Sequence, residues 1–509
     1  MAVKIVKVGI LLVWLVSIGW LLRFEAFPDW FVHSISGYKS LIRSKPALVD
    51  SWMKVEMNGT HIGYSHTEVE LDENEGADEY NVRNLTMLKL LMMGEGQRVK
   101  MTSDVVLDGS YGMKKFFFAM SSRNYNLRLE GKRIGGEEYD VELKSSGSSR
   151  QMQVRIPSDA VIYSPYLEMV LKELAPGAST RLKVFDPMSM ATSVAVIRAI
   201  DNQPIVIKDE SIESTRLGIE FNGMKIEAWM DEEGQIVRQK TPFGWTMEAC
   251  TPDVALSYDE DSFGSVDLIA SAGIRVAGDI GARDDKEVRY LRLNGVRFNR
   301  EDLVTYRQEV LAHGEDWVDV KLHSPSWPPP GDGRDGESEN MAPFLKATTY
   351  IQSDHPDLIK RAKAITDGLT DEVSKAKAIY EWVNHTVQKI PTVSLPSALD
   401  VLKNMQGDCN EHTYLFVGLA RSVGLPAKVR VGIMYVDEFF GYHAWPAVHV
   451  NGRWHDLDPT LGQTVVDSTH VSLLEGELEN QMMLMQYLGQ LTIEVLPEPE
   501  TDDQTPKSE

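Results

Sequence analysis

The sequence predicts an α+β chain in three parts: an N-terminal transmembrane helix, β-rich antiparallel extracytoplasmic domains, and an α+β domain near the C-terminus. Three observations carry this expectation. An uncharged run, Val8 to Leu22, follows Lys4 and Lys7. Short β-like runs alternate with turn pairs from Trp52 to Val320. After a stretch rich in Pro and Gly, the apolar spacing then changes from strand-like to helix-like.

Allowing Lys7 and Arg23 to snorkel extends the first run from Ile5 to Phe24, about 30 Å as a helix and enough to span a bilayer. The basic residues precede it while Glu25 and Asp29 follow, so residues 1–27 read as an anchor with the bulk of the chain outside the cytoplasm. A cleaved signal is the alternative, with Ser17 and Gly19 as its small residues, but no A-x-A follows the run. The adopted reading is a single-pass anchor and a periplasmic or cell-surface location.

From 48 to 252 the turn signals Asn58-Gly59, Gly135-Gly136, Asn222-Gly223 and Glu233-Gly234 divide β-like runs, and Ser164 to Leu174 carries helical spacing. The layout is similar to the curved half-barrel of lipoprotein-localisation factors. A second β-rich segment, 253–322, alternates around Asn294-Gly295 and reads as a sandwich-like spacer. Residues 323–341 concentrate Pro, Gly and charge as a linker, 477–496 form a C-terminal segment, and 497–509 an acidic disordered tail.

The 509 residues suggest roughly three domains, and 43% hydrophobic with 25% charged residues excludes wholesale disorder and a polytopic membrane protein. With 52 basic and 75 acidic residues the net charge is −23, which repels a phosphate backbone and excludes nucleic acid as a partner. Two cysteines, Cys250 and Cys409, exclude a disulfide framework and a four-cysteine zinc site. They leave open a single bridge or a lone reactive thiol.

The domain from 342 to 476 carries the chemistry. Leu358, Ile359, Ala362 and Ile365 mark one amphipathic helix, and Val373, Ala376, Ile379, Tyr380 and Val383 a second, both leading into "GDCNEHTYLF". Asp408 and Glu411 form the D-x-x-E start of a third helix, which puts Cys409 in its first turn. A thiol at the positive end of a helix dipole has its thiolate favoured, so its pKa is expected below the usual ~8.5. Cys250, ending a β-like run, reads as a small hydrophobe.

Downstream, two strands flank the turn pair Asn451-Gly452. If those residues form the loop, Val450 faces Arg453, and His443 and Asp458 become diagonal neighbours on one face, ~7–8 Å apart at the backbone. A carboxylate is thereby set beside an imidazole, which fixes its tautomer and stabilises its charged form. His412, His449 and His455 read as packing residues. Cys409, His443, His449 and Asp458 could all ligate zinc, but no C-x-x-C or H-E-x-x-H is present, and no cofactor is expected.

"GDCNEH", "HAW" and "DLDPT", with 33 and 14 residues between Cys409, His443 and Asp458, resemble the transglutaminase-like superfamily, a papain-like cysteine fold, in its bacterial membrane-anchored form. The resemblance implies that Cys409 is the nucleophile, His443 the general base and acid, and Asp458 the residue that orients His443. It also implies action on amide bonds of a protein or peptide substrate through a thioester. Cross-linking members carry Trp after the nucleophile; Asn410 stands there, as in bacterial and archaeal members that include peptidases and amidases. A non-catalytic binding scaffold and a metal hydrolase are the competing expectations.

Overall fold

The computed structural model describes residues 49–499, short internal stretches excepted, together with His33, Ser34 and Tyr38; the longest of those stretches are 73–78, 163–173, 258–266 and 328–339. All of the expected helix over Ser164 to Leu174 except its last residue, most of the linker and most of the acidic tail lie outside the described residues.

Strict alternation builds the first sheet. Along Glu95–Leu107, Gln97, Val99, Met101, Ser103, Val105 and Leu107 are buried while their neighbours are more exposed, as a strand with one packed face requires. Eight strands from Val49–Met57 to Ser148–Arg155 pair with their sequence neighbours as an antiparallel meander. The turn Asn58-Gly59 has φ of 49° and 81°, the doubly left-handed geometry of a two-residue hairpin loop. A further group, from Ser179–Asp186 to Trp245–Ala249, extends the sheet from its other side, where Trp245–Ala249 pairs antiparallel with Val49–Met57. The whole is one open, sixteen-stranded sheet.

A second sheet orders its five strands as Val276–Ala277, Thr492–Val495, Val288–Asn294, Trp317–His323 and Gln308–His313. Segments far apart in sequence thus share one sheet: Thr492–Val495 pairs with Val288–Asn294.

The third unit holds helices α1 (Pro356–Ile365), α2 (Glu372–Thr386), α3 (Ala398–Asn404) and α4 (Cys409–Ser422). Its sheet has strands β1 (Ala427–Val436), β2 (Phe439–Val450), β3 (Arg453–Asp456) and β4 (Val471–Glu475), in the order β3-β2-β1-β4. Helix α4 is buried almost throughout because it lies between the other helices and strands β1 and β2.

Two expectations are corrected here. The chain is mostly β, with 52% of residues in strands and 17% in helices, so the α+β description of the whole gives way to a β-rich protein carrying one mixed unit. Nor is there support for a transmembrane helix, or for the single-pass, extracytoplasmic placement built on it. No helix among the described residues is long and apolar enough to cross a membrane. The longest, α2, has 15 residues and an amphipathic pattern, about 22 Å against the ~30 Å of a bilayer core. The stretch from Ile5 to Phe24 itself lies outside the described residues.

Candidate active site

Helix α4 begins with a complete capping box. The Asp408 carboxylate accepts from the Asn410 N–H at 3.1 Å, and the Asp408 N–H donates to Glu411 Oε2 at 2.9 Å. These contacts fix the helix start and set Cys409 as its first residue. Thr413, one turn on, donates to the Ala444 carbonyl at 3.1 Å and ties α4 to β2. Across that seam the Ala444 N–H hydrogen-bonds to the Cys409 sulfur, next in sequence to His443.

The β2–β3 hairpin turns at Asn451-Gly452, with φ of 52° and 78°. Its ladder runs from Val450 opposite Arg453 to Ala447 opposite Asp456. Asp458 lies just past β3, in a turn where it exchanges backbone hydrogen bonds with Gln463. From there its side chain reaches His443, whose Nε2–H donates to Asp458 Oδ2 at 2.7 Å. Asp458 Oδ1 accepts from the N–H groups of Thr460 and Leu461, at 2.8 and 3.0 Å. Burial alone opposes ionisation of Asp458, but the electrostatic pull and hydrogen bond of His443, with help from His470, hold its carboxyl far below the usual range. With Nε2 engaged, His443 has no hydrogen-bond partner for Nδ1 among the described residues. That nitrogen is the one free to handle a proton.

The expected depression of the Cys409 pKa is corrected. Burial pushes the thiol well above its ordinary value, and the carboxylates of Asp408, Glu411 and Asp458 push in the same direction; the Ala444 N–H opposes them. The residues that cap α4 thus set carboxyl groups beside the sulfur, which together with burial favours the thiol over the thiolate. Burial, then the neighbouring Glu411 carboxylate, raises Asp408 too. Cys250 is a free thiol like Cys409, so no bridge joins them.

The remaining histidines fall into place around this pair. His412 is fully buried, bonded through Nδ1 to the Asp408 carbonyl at 2.7 Å. His449 packs edge-on against Trp454, and His455 contacts the Thr464 carbonyl through Nε2 at 3.1 Å. Trp445 is fully buried, its indole N–H donating to Asp456 Oδ2 at 3.0 Å, and its ring lies parallel to His443 with centroids 6.0 Å apart.

Sequence reasoning missed His470. It is fully buried, with Nε2 3.3 Å from Asp458 Oδ2 and Nδ1 3.2 Å from Asp467 Oδ1. It ends a loop without periodicity, and the only hint in the sequence is the i, i+3 pair Asp467 and His470. His443, Asp458 and His470 present ligand atoms within 4.8 Å of one another. The 2.7 Å between His443 Nε2 and Asp458 Oδ2 is a hydrogen-bond separation; tetrahedral zinc, with bonds of about 2.0–2.2 Å, holds its ligand atoms about 3.3 Å apart. The arrangement fits a shared proton better than an ion.

Residues 359–459 match the family model described as the transglutaminase-like superfamily. The chain carries a transglutaminase-like domain. The chain is 27% identical over 117 residues to the kyphoscoliosis peptidase of Mus musculus, and 27% over 116 residues to that of Homo sapiens. Each match takes in 19% of this chain and 17% of the relative, so the likeness spans about a sixth of the length of these curated proteins. Among solved structures, the periplasmic domain of TgpA from Pseudomonas aeruginosa is similar at 13% identity and a TM-score of 0.26, covering 35% of this chain and 75% of that one. His470 lies beyond the last matched residue of the transglutaminase-like domain.

Proposed function

We propose that this protein is a cysteine hydrolase or acyltransferase acting on amide bonds of proteins or peptides through Cys409, His443 and Asp458. The observation that carries the reading is the 2.7 Å contact from His443 to a buried Asp458, which leaves Nδ1 free on a strand whose next residue touches the Cys409 sulfur. Asp458 holds the tautomer in which Nε2 bears hydrogen and Nδ1 accepts. His443 takes the thiol proton as the sulfur attacks the amide carbon, forming the C–S bond. It then returns that proton to the departing amine as the C–N bond breaks. Water or a second amine resolves the thioester, with His443 again as the base.

The Cys409 N–H takes no part in the capping box and supplies one donor for the developing oxyanion. Because burial and the neighbouring carboxylates favour the thiol, we read proton transfer to His443 as coupled to attack. Asn410 in the position after the nucleophile favours peptidase or amidase chemistry over cross-linking.

Intact-mass spectrometry after incubation with a peptide pool tests this. The expected result is an acyl adduct on Cys409 that hydroxylamine removes, that a primary amine shortens in lifetime, and that Cys409→Ala lacks. Absence of the adduct, together with Cys409 alkylation that His443→Gln leaves unchanged, refutes the enzyme and leaves the binding scaffold.

A further inference from the structure

We infer that His470 is a positioning residue of this site: an imidazolium that shares Asp458 with His443 and sets the aim and the net charge of that carboxylate. The inference rests on the triad reading above and extends it beyond the matched domain.

Hydrogen-bond inventory leads to it. Both ring nitrogens of His470 face carboxylate oxygens, Nε2 toward Asp458 at 3.3 Å and Nδ1 toward Asp467 at 3.2 Å. An ionised carboxylate only accepts, and a neutral imidazole has a single N–H, so satisfying both contacts requires the doubly protonated ring. The opposing carboxylates accordingly raise the His470 pKa against the effect of burial. Asp458 Oδ2 then receives two imidazole N–H groups while two backbone N–H groups occupy Oδ1, which leaves it no freedom to rotate away from His443.

His470 is itself anchored. Asp467 also accepts from the Thr469 N–H and from Gln463 Nε2, each at 2.8 Å, and pairs with Arg283 at 3.3 Å. Arg307, fully buried in the chain between Thr305 and Gln308, donates to the His470 and Asp467 carbonyls at 2.6 Å each. The charged and titratable groups facing His470 are therefore Asp458 and Asp467, with His443 stacked edge-on at 5.6 Å between centroids and Arg283 and Arg307 behind.

The consequence is electrostatic. A cation on the far side of Asp458 partly offsets the carboxylate, and its removal makes the site more negative. A thiolate is then harder to form, and the pH dependence of Cys409 reactivity moves upward.

The test is the iodoacetamide rate at Cys409 against pH, read by intact mass on the full chain, for the wild type, His443→Gln, His470→Gln and Asp467→Asn. His470→Gln keeps an N–H donor for Asp458 and drops the charge; Asp467→Asn removes the anchor without touching Asp458. The inference expects His470→Gln to raise the midpoint by at least 0.5 pH unit, about threefold in rate below it, and Asp467→Asn to shift it the same way by less. If His443→Gln changes the profile and the other two superimpose on the wild type, the role given to His470 is overturned and the triad stands. If His443→Gln also superimposes, the triad fails and takes the inference with it.

Discussion

Asp458→Asn is the most direct probe of the site. The side chain keeps its size, and its carbonyl oxygen still accepts from the Thr460 and Leu461 N–H groups. What changes is the other edge, where an amide NH₂ now faces His443 Nε2 and His470 Nε2, at positions where the carboxylate lies 2.7 and 3.3 Å from them. A hydrogen bond to a charged group contributes about 1.5–3 kcal/mol, and the bond to His443 is the one that strengthens when the ring takes the thiol proton, so its loss disfavours the thiolate–imidazolium pair by about that much. At 1.36 kcal/mol per decade that is a fall of about 10- to 150-fold in reactive sulfur, drawn toward the lower end because the Asp458 charge that opposes the thiolate is lost as well. His443 is also driven to the opposite tautomer, with hydrogen on the nitrogen that should accept the thiol proton. The assay is the second-order rate of Cys409 carboxamidomethylation at pH 7, with Cys250 as the internal standard because it lies at the end of the large sheet. The reasoning is refuted if the Cys409 rate falls by less than about fivefold. Faster labelling of Cys250 in the variant exposes unfolding, which circular dichroism checks independently.

Three further outcomes follow from the same contacts. Asp458 and Asp467 have carboxyls held below the usual range, so they contribute stability above about pH 4 that is lost as pH falls toward their folded values. His470 is raised, so its contribution is full below about pH 6.5 and fades as pH rises through its folded value; urea midpoints should peak between these limits, and His470→Gln should flatten the alkaline side. Arg307→Met deletes two hydrogen bonds from a buried guanidinium to the carbonyls of Asp467 and His470, costing about 3 kcal/mol, with faster amide exchange over 463–470 as the readout. In Gly432→Ala the new Cβ meets the Val471 carbonyl oxygen at 2.0 Å, so β4 must shift where it follows His470; a loss of at least about 1–3 kcal/mol in urea denaturation is expected.

The parts of the site legible in the sequence are those fixed by short-range rules. Asn451-Gly452 selects a two-residue turn, and that turn sets Val450 opposite Arg453; the ladder ends at Asp456, and the following turn to Gln463 completes the approach of Asp458 to His443. The D-x-x-E spacing of Asp408 and Glu411 likewise locates Cys409 at a helix start. The sign of the Cys409 shift was not legible, because the carboxylates that mark the helix start also face the sulfur in three dimensions, and burial adds to them. His470 was hidden for another reason: its loop has no period, and Arg307, which holds it, comes from about 160 residues earlier in the chain. Nor could alternation reveal that Thr492–Val495 closes the sheet of Val288–Asn294, since pairing across such a distance leaves no local trace.

The two β-rich units contact different parts of the transglutaminase-like domain. From the small sheet and its connections, Arg289 donates to Ser468 Oγ, Gln308 bonds Ser472 through both backbone groups, and Tyr306 receives the Asp456 N–H at 2.9 Å. These contacts flank Asp458 and His470 on the loop between β3 and β4. From the large sheet, Gln97 reaches the Pro391 carbonyl at 3.4 Å and Arg150 the Thr348 carbonyl at 2.9 Å. Pro391 directly precedes Thr392, whose N–H lies 3.4 Å from the Asp408 carboxylate that caps α4. One unit therefore grips the loop carrying Asp458 and His470, and the other the segment leading to the start of α4. Segment 253–322 thus supplies hydrogen bonds that help hold the loop carrying Asp458 and His470. A fragment restricted to the matched 359–459 lacks both grips and His470, so the domain defined by sequence similarity is smaller than the unit that organises the site.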